Sequence, residues 1–225
     1  MIINPILPIG SSPVVNPIIQ TFVAENVIAW EVVVLILNIV FIAIASLVVG
    51  LILNKSMEKQ EFVTNKTFTL ISSTVLSLVL SLRFGVSVYT FQGLFLFYLL
   101  LYASMSDLTN RRVANHLSIS IFALSLISIP TVGFTSMLLG GAITAAIQIG
   151  VSMFSSGRYG GADLKIATAC AFLLGWQRGL AGLALGLLIG VVFMLIYNKI
   201  KKLSNDKGFP LIPFISVGMM TMFFI

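Results

Sequence analysis

Long apolar segments recur along the whole 225-residue chain and constrain its fold more than any other feature. An α-helix needs roughly 20 apolar residues to cross about 30 Å of hydrocarbon. Hydrocarbon offers no hydrogen bonds, so each segment must satisfy its own backbone groups, as a helix does. Hydrophobic residues make up 58% of the chain and charged residues 9%, whereas soluble domains have about half and a quarter. The sequence therefore predicts an all-α, polytopic helical membrane protein.

Unbroken apolar windows predict about eight transmembrane helices. They lie near 28–54, 67–83, 86–106, 117–134, 136–155, 164–176, 179–198 and 209–225. The window 164–176 is short for a crossing, and 67–106 is interrupted only at 83–85. These two places are where the number of crossings is least firmly determined by the pattern.

The basic residues orient the spans, because Lys and Arg of short loops favour the cytoplasmic side. With the N-terminus outside, eleven basic residues fall inside, and only Arg83 and Arg178 fall outside. The inner set is Lys55, Lys59, Lys66, Arg111, Arg112, Arg158, Lys165, Lys199, Lys201, Lys202 and Lys207. We therefore expect a multi-pass protein of the cytoplasmic (inner) membrane with its N-terminus outside.

Three regions follow from this arrangement. Residues 1–27 contain four prolines and no Lys or Arg, which predicts an irregular external segment. Residues 28–85 form the N-terminal spans, with a short cytoplasmic loop at 55–66. Residues 86–225 form the remaining core, where the candidate chemistry lies.

Charge and metal-ligand counts exclude several functions. The net charge of +6 comes from basic residues scattered between spans, so we expect the lipid bilayer and no nucleic acid as a partner. The chain has one cysteine, Cys170, and one histidine, His116. These cannot build a disulfide or a zinc site of the usual kind, so we expect no metal and no cofactor.

Two of the seven acidic residues lack a simple explanation. Asp107 ends one apolar run and Asp163 opens another, so both lie at the edge of hydrocarbon, where a carboxylate is costly. The 55 residues between them hold two predicted spans, which returns Asp163 to the cytoplasmic side at a similar depth. Asp163 would also lie near the N-terminus of its helix, where the macrodipole favours the ionised form.

Three interpretations of this pair remain open. Two neighbouring carboxyl groups can share a proton, so that one activates water and the other polarises a carbonyl, as in aspartic proteases. Alternatively, each acid pairs with a nearby base, Asp107 with Arg111 and Asp163 with Lys165. In a third interpretation the acids carry ions or protons through a transporter, although the chain shows no sign of inverted repeats.

Two sequence blocks resemble the motifs of type IV prepilin peptidases, which are GxGD intramembrane aspartyl peptidases. The first is Asp107-Leu-Thr-Asn-Arg-Arg-Val-Ala-Asn115, which has Ala114 where the family has proline. The second is Gly160-Gly161-Ala162-Asp163-Leu164-Lys165, which has Ala162 in place of the signature glycine. A third, weaker similarity is the proline-containing segment 209–214 before the last span. The resemblance extends over roughly 86–225.

The resemblance implies an endopeptidase with Asp107 and Asp163 as catalytic residues. Its substrate would be a pilin precursor, cut after a glycine where the cytoplasmic leader meets the hydrophobic N-terminal helix. Gly160, Gly161 and Ala162 would shape the loop around Asp163. The Ala162 replacement keeps open a different role, in which an inactive relative acts in pilus or secretion assembly.

Flanking residues have plainer roles beside these. Arg111 could steer the substrate but fits interfacial anchoring better, and Lys165 matches the family position. Asn115 could hydrogen-bond the active-site loop, but it fits a helix N-cap better.

Larger relatives insert a cytoplasmic domain with paired CxxC motifs after the first span, for N-methylation of the new pilin end. This chain has only KSMEKQEFVTNK at that point. The resemblance is therefore to the short type of tight-adherence pili or to archaeal preflagellin peptidases, without methyltransferase activity.

Overall fold

The computed structural model describes residues 17–62, 65–154, 160–201 and 209–225, and the regular structure of these residues is entirely helical. Nine α-helices occur in them: α1 (Pro17–Lys59), α2 (Lys66–Phe84), α3 (Val88–Asn110), α4 (Asn115–Ser125), α5 (Ile129–Val132), α6 (Phe134–Phe154), α7 (Gly161–Leu174), α8 (Trp176–Lys201) and α9 (Ile212–Phe224). A 3₁₀ turn, Leu126–Ser128, joins α4 to α5. The predicted fold class is confirmed.

Six helical segments of the described chain are long and apolar enough to cross a membrane. They are α1, α2, α3, the composite segment Asn115–Val132, α6 and α8. The helices α7 and α9 have 14 and 13 residues and are shorter than a crossing requires. The number of crossings and the side of the N-terminus stay predictions.

The first helix begins earlier than the sequence suggested. Helix α1 starts at Pro17, so residues 17–27 are helical where irregular structure was expected, and residues 1–16 lie outside the described part. Proline is tolerated in the first turn of a helix because the N–H that it lacks has no partner there. Counting prolines as helix breakers was therefore wrong at this position.

Hydroxyl groups join the first three helices. The Tyr98 hydroxyl of α3 donates to the carbonyl of Ser46 on α1 at 2.7 Å, and the Ser46 hydroxyl donates to the carbonyl of Ser73 on α2 at 3.0 Å. All three residues are buried. In a membrane these bonds add to packing between helices, which is not driven by hydrophobic burial.

Helix α7 lies in the middle of the bundle. It packs against α4, α6, α8 and α9, and its side chains Ile166, Ala167, Ala169 and Cys170 are almost completely buried. Small residues allow neighbouring helices to come close. A short helix can exist at membrane depth here because protein surrounds it.

Glycines bring α8 and α9 into backbone contact. A Cβ atom on Gly186 of α8 would lie 2.8 Å from the carbonyl oxygen of Phe214 and 2.8 Å from the Cα of Ile215, both on α9. Gly182 and Gly218 lie in the same contact. Backbone atoms cannot move aside as a flexible side chain can, so this contact fixes α9 against α8.

The backbone contact between α8 and α9 at Gly186 leads to a prediction about the stability of the protein. We expect Gly186→Ala to lower the free energy of unfolding by about 1–3 kcal/mol, because the added methyl group overpacks the α8–α9 contact. Gly150→Ala is the matched control, since a Cβ there meets nothing within 4 Å and Ala favours the helix by about 0.5–1 kcal/mol. Thermal unfolding in detergent measures both, and equal stability of the two variants would contradict the prediction.

Candidate active site

Asp107 lies in the last turn of α3 and is 8% exposed. Its Oδ2 atom accepts a hydrogen bond from the backbone N–H of Ile212 at 3.3 Å. Ile212 is the first residue of α9, with Leu211 as the N-cap. The first amides of a helix have no partner within it and carry a partial positive charge, so they stabilise an anion. The start of α9 therefore supplies a hydrogen-bond donor to the Asp107 carboxyl group.

Asp163 lies in the first turn of α7 and is 7% exposed. Its carboxyl group accepts a hydrogen bond from the backbone N–H of Gly160, the N-cap residue. This bond from the third helical residue back to the N-cap is one half of a capping box. The local sequence thus turns the Asp163 side chain back over the start of its own helix.

The two carboxyl groups are close enough to interact electrostatically. Burial and then the charge of Asp107 raise the pKa of Asp163 to about 7, while the Gly160 N–H acts in the opposite direction. The position of Asp163 at a helix N-terminus does favour its ionised form, as expected from the sequence, but burial outweighs this effect. Two neighbouring carboxyl groups, one of them with a raised pKa, can share one proton.

Neither aspartate forms the ion pair that the simpler interpretation required. Among the residues that the structure describes, the ion pair within 4.0 Å joins Lys66 to Glu58, at 3.1 Å. Arg111 is exposed and acts on Asp107 only electrostatically. Arg111 instead ends α3 in the left-handed conformation, with φ at +52°, and its N–H donates to the carbonyl of Asp107.

Lys165 bonds to Asn115 rather than to Asp163. The Lys165 Nζ donates to Asn115 Oδ1 at 2.8 Å, which joins the start of α7 to the start of α4. The expected cap role of Asn115 is wrong: the N-cap of α4 is Ala114, and no side chain caps it. The bond instead connects the two ends of the hairpin that separates the aspartates.

The glycine-rich segment needs small residues for different reasons. A Cβ on Gly160 would lie 2.6 Å from Asp163 Oδ2, whereas a Cβ on Gly161 would meet nothing within 4 Å. Gly160 thus allows the close approach of the Asp163 carboxyl. Ala162 lies within α7 and packs against the core. A residue inside a right-handed helix does not need positive φ, so alanine fits this position.

The Ile212 amide is the site feature that sequence reasoning did not find. The segment 209–214 was recognised as a weak similarity, but its sequence does not reveal which acid it meets. Its proline pattern contained a usable signal, because Pro213 in the first turn marks a helix start whose free N–H groups need acceptors. A buried acid is such an acceptor.

These groups can activate water and polarise a carbonyl. An ionised carboxylate held by an amide can accept a proton from water, and a protonated carboxyl beside it can donate one. The described residues contain no cluster of three or more His, Cys, Asp or Glu side chains that could hold a metal ion. What this site offers is acid–base chemistry of two carboxyls.

The fold and the site define a polytopic helical membrane protein with two buried acids at helix ends. Residues 94–195 match the sequence model of the Type IV leader peptidase family. This match includes both aspartates and confirms the resemblance over this segment. It supports a membrane-embedded peptidase. None of the curated proteins or solved structures compared with the chain matches it.

The contact between Lys165 and Asn115 can be tested by a double-mutant cycle. We expect Lys165→Met and Asn115→Ala to be coupled by about 0.5–1.5 kcal/mol in the free energy of unfolding, because each removes the same hydrogen bond. Lys165→Met with His116→Ala is the control pair, and these effects should add. Additive effects in both pairs would show that Lys165 and Asn115 are not bonded.

Proposed function

We propose that the chain is an intramembrane aspartyl endopeptidase that removes the short cytoplasmic leader from pilin precursors. The observation that carries the proposal is the pair of buried carboxyl groups, Asp107 and Asp163, which interact with each other and lack a neutralising ion pair in the described part of the chain. The match of residues 94–195 to the Type IV leader peptidase family supports the proposal.

Each aspartate has its own part in the proposed reaction. Asp107, held by the Ile212 N–H, takes a proton from water as the oxygen attacks the scissile carbonyl. Asp163 carries the shared proton and donates it to the carbonyl oxygen, which gives a neutral tetrahedral intermediate. Collapse of this intermediate breaks the C–N bond, the proton on Asp107 passes to the leaving amine, and Asp163 recovers its own proton. The titration belongs to the pair rather than to either residue.

The proposed place of cleavage is the cytoplasmic face of the inner membrane. Both acids lie at ends of helices rather than at mid-helix, and water is available at such a boundary. The scissile bond would follow a glycine, at the point where the polar leader meets the apolar helix of the precursor. Gly160 and Gly161, both exposed, leave room for that chain beside Asp163.

We further propose that the enzyme cleaves without methylating its product. The chain between α1 and α2 runs only from residue 60 to residue 65, and the sequence contains a single cysteine. This leaves no room for a domain with paired CxxC motifs between these two helices. The new N-terminal amine would therefore leave the enzyme unmodified.

Removing either carboxyl group should stop cleavage. We expect Asp107→Asn and Asp163→Asn each to lower the rate of leader removal by at least about a hundredfold, since each takes away one proton-transfer group. The measurement is a gel shift of a pilin precursor incubated with membranes that contain each variant.

Glu58→Gln is the matched control for these two variants. It removes an acid that is exposed and paired with Lys66, so cleavage should stay at the wild-type rate. Cleavage that survives either aspartate substitution would reject the peptidase proposal and favour ion transport or an assembly role.

The shared proton also predicts a pH dependence. Because the pKa of Asp163 is raised to about 7, its proton is present below that pH and is lost above it. We therefore expect kcat/KM for leader removal to fall as the pH rises through about 7, as both carboxyls become ionised. A profile that stays flat between about pH 6 and 9 would contradict this assignment of the proton.

A further inference from the structure

An apolar groove runs along three helices and ends beside Asp107. Its cavity volume is about 630 Å³, within the range of about 300–1,000 Å³ that is typical of binding sites. Helix α3 contributes the floor, and α2 and α9 contribute the walls. Exposed apolar side chains are expected on the lipid-facing surface of a membrane protein, so the shape and the position of this groove are the features that distinguish it.

The lining residues recur at helical spacing. On α9 they are Pro213, Ser216, Val217, Met220, Thr221 and Phe224, which are three and four residues apart and therefore share one face. Helices α2 and α3 contribute residues at the same kind of spacing. The groove thus runs parallel to the helices, over about 16 Å of α9 at 1.5 Å per residue. This length accommodates about three turns of an added helix.

One end of the groove adjoins the candidate active site. Leu108 and Pro213 line it, and they directly follow Asp107 and Ile212, the two residues joined by the hydrogen bond. Asp107 itself lies about 60° around α3 from Ser104 of the groove, at about 100° per residue. A molecule in the groove would therefore end next to the Asp107 carboxyl.

A second cavity of about 660 Å³, with a mixed polar and apolar lining, lies on the other flank of α3. Ser106, Asn110, Arg112 and His116 are among the residues that line it. Asn110 lies about 60° around α3 from Asp107, on the side away from Ser104. The surroundings therefore become more polar across Asp107. A chain whose apolar helix lies in the groove passes the carboxyl pair where its polar part begins.

We propose that this groove receives the apolar helix of the substrate and so places the leader junction at Asp107. The inference rests on the proposed function and adds the surface that recognises the membrane part of the precursor. A helix in an apolar groove makes its contacts through side chains at three- and four-residue spacing, which is the spacing of the groove's own residues. Membrane lipid is the competing occupant.

Photo-crosslinking tests the occupant directly. The probe is a synthetic peptide with a basic leader ending in glycine followed by an apolar helix, reconstituted in vesicles with the full chain carrying Asp163→Asn. Benzoylphenylalanine replaces Val217 in the groove or Val191 on α8, and both valines are 54% exposed. We expect the peptide adduct at Val217 to exceed that at Val191 about tenfold, which corresponds to 1.4 kcal/mol of preferential binding.

Kinetics of the active enzyme test whether the groove is used. Val217→Trp partly fills the groove, so the KM for the long peptide should rise about tenfold. The KM for a short peptide that has the leader and the junction but no apolar helix should stay unchanged. Val191→Trp should alter neither value.

The outcomes of these experiments test the groove proposal and the peptidase proposal separately. Equal peptide adducts at Val217 and Val191, adducts with lipid alone, or an unchanged KM in Val217→Trp would overturn the groove proposal while the peptidase stands. Failure of the wild-type chain to cleave either peptide, together with a strong adduct at Val217, would reject the peptidase and retain the groove as a helix-binding surface.

Discussion

Backbone amides at two helix starts compensate the buried carboxyl groups. Neither aspartate has a cation within ion-pair distance in the described part of the chain, and an unpaired carboxylate away from water is costly. Ile212 at the start of α9 and Gly160 at the start of α7 donate the hydrogen bonds instead. The geometry of the site therefore depends on where these two helices begin and on what holds them in place.

The packing of the bundle supplies that support. Helix α9 is fixed by the backbone contact at Gly186, and α7 is enclosed by four neighbouring helices. The bond between Lys165 and Asn115 joins α7 to α4 near Asp163. Each support lies outside the pair of acids, yet each sets the position of one of them. Interior packing transmits such restraints because side chains at native density have little room to move.

The sequence predicted the features that follow from the solvent and from local pattern. A single segment that crosses lipid can satisfy its own backbone hydrogen bonds only as a helix. The hydropathy pattern was therefore enough to predict an all-helical chain. The two acids were found because a carboxylate at the end of an apolar run is unusual. Their approach was deduced from the hairpin between them, and the structure brings them within electrostatic reach.

The remaining features depend on competition between local preferences and the packing of residues that are distant in the sequence, which the sequence alone does not show. The macrodipole at Asp163 was correctly located, but its effect is smaller than that of burial, which depends on the packed bundle. Asn is a residue type that often caps helices, yet the side chain of Asn115 instead accepts a hydrogen bond from Lys165, which is 50 residues away. Pro17 is the first residue of α1, although proline is usually interpreted as a residue that breaks helices. In each case a long-range or positional effect outweighed a local preference.

The burial of Cys170 protects its thiol group from reagents while the chain is folded. Cys170 is the only cysteine in the sequence and is 0% exposed on α7, the helix that carries Asp163. Modification of a buried group proceeds only through local opening, at a rate that reflects how often the surrounding packing separates. The rate at which a membrane-permeant thiol reagent modifies Cys170 would therefore report how often α7, the helix that holds one of the two acids, opens locally.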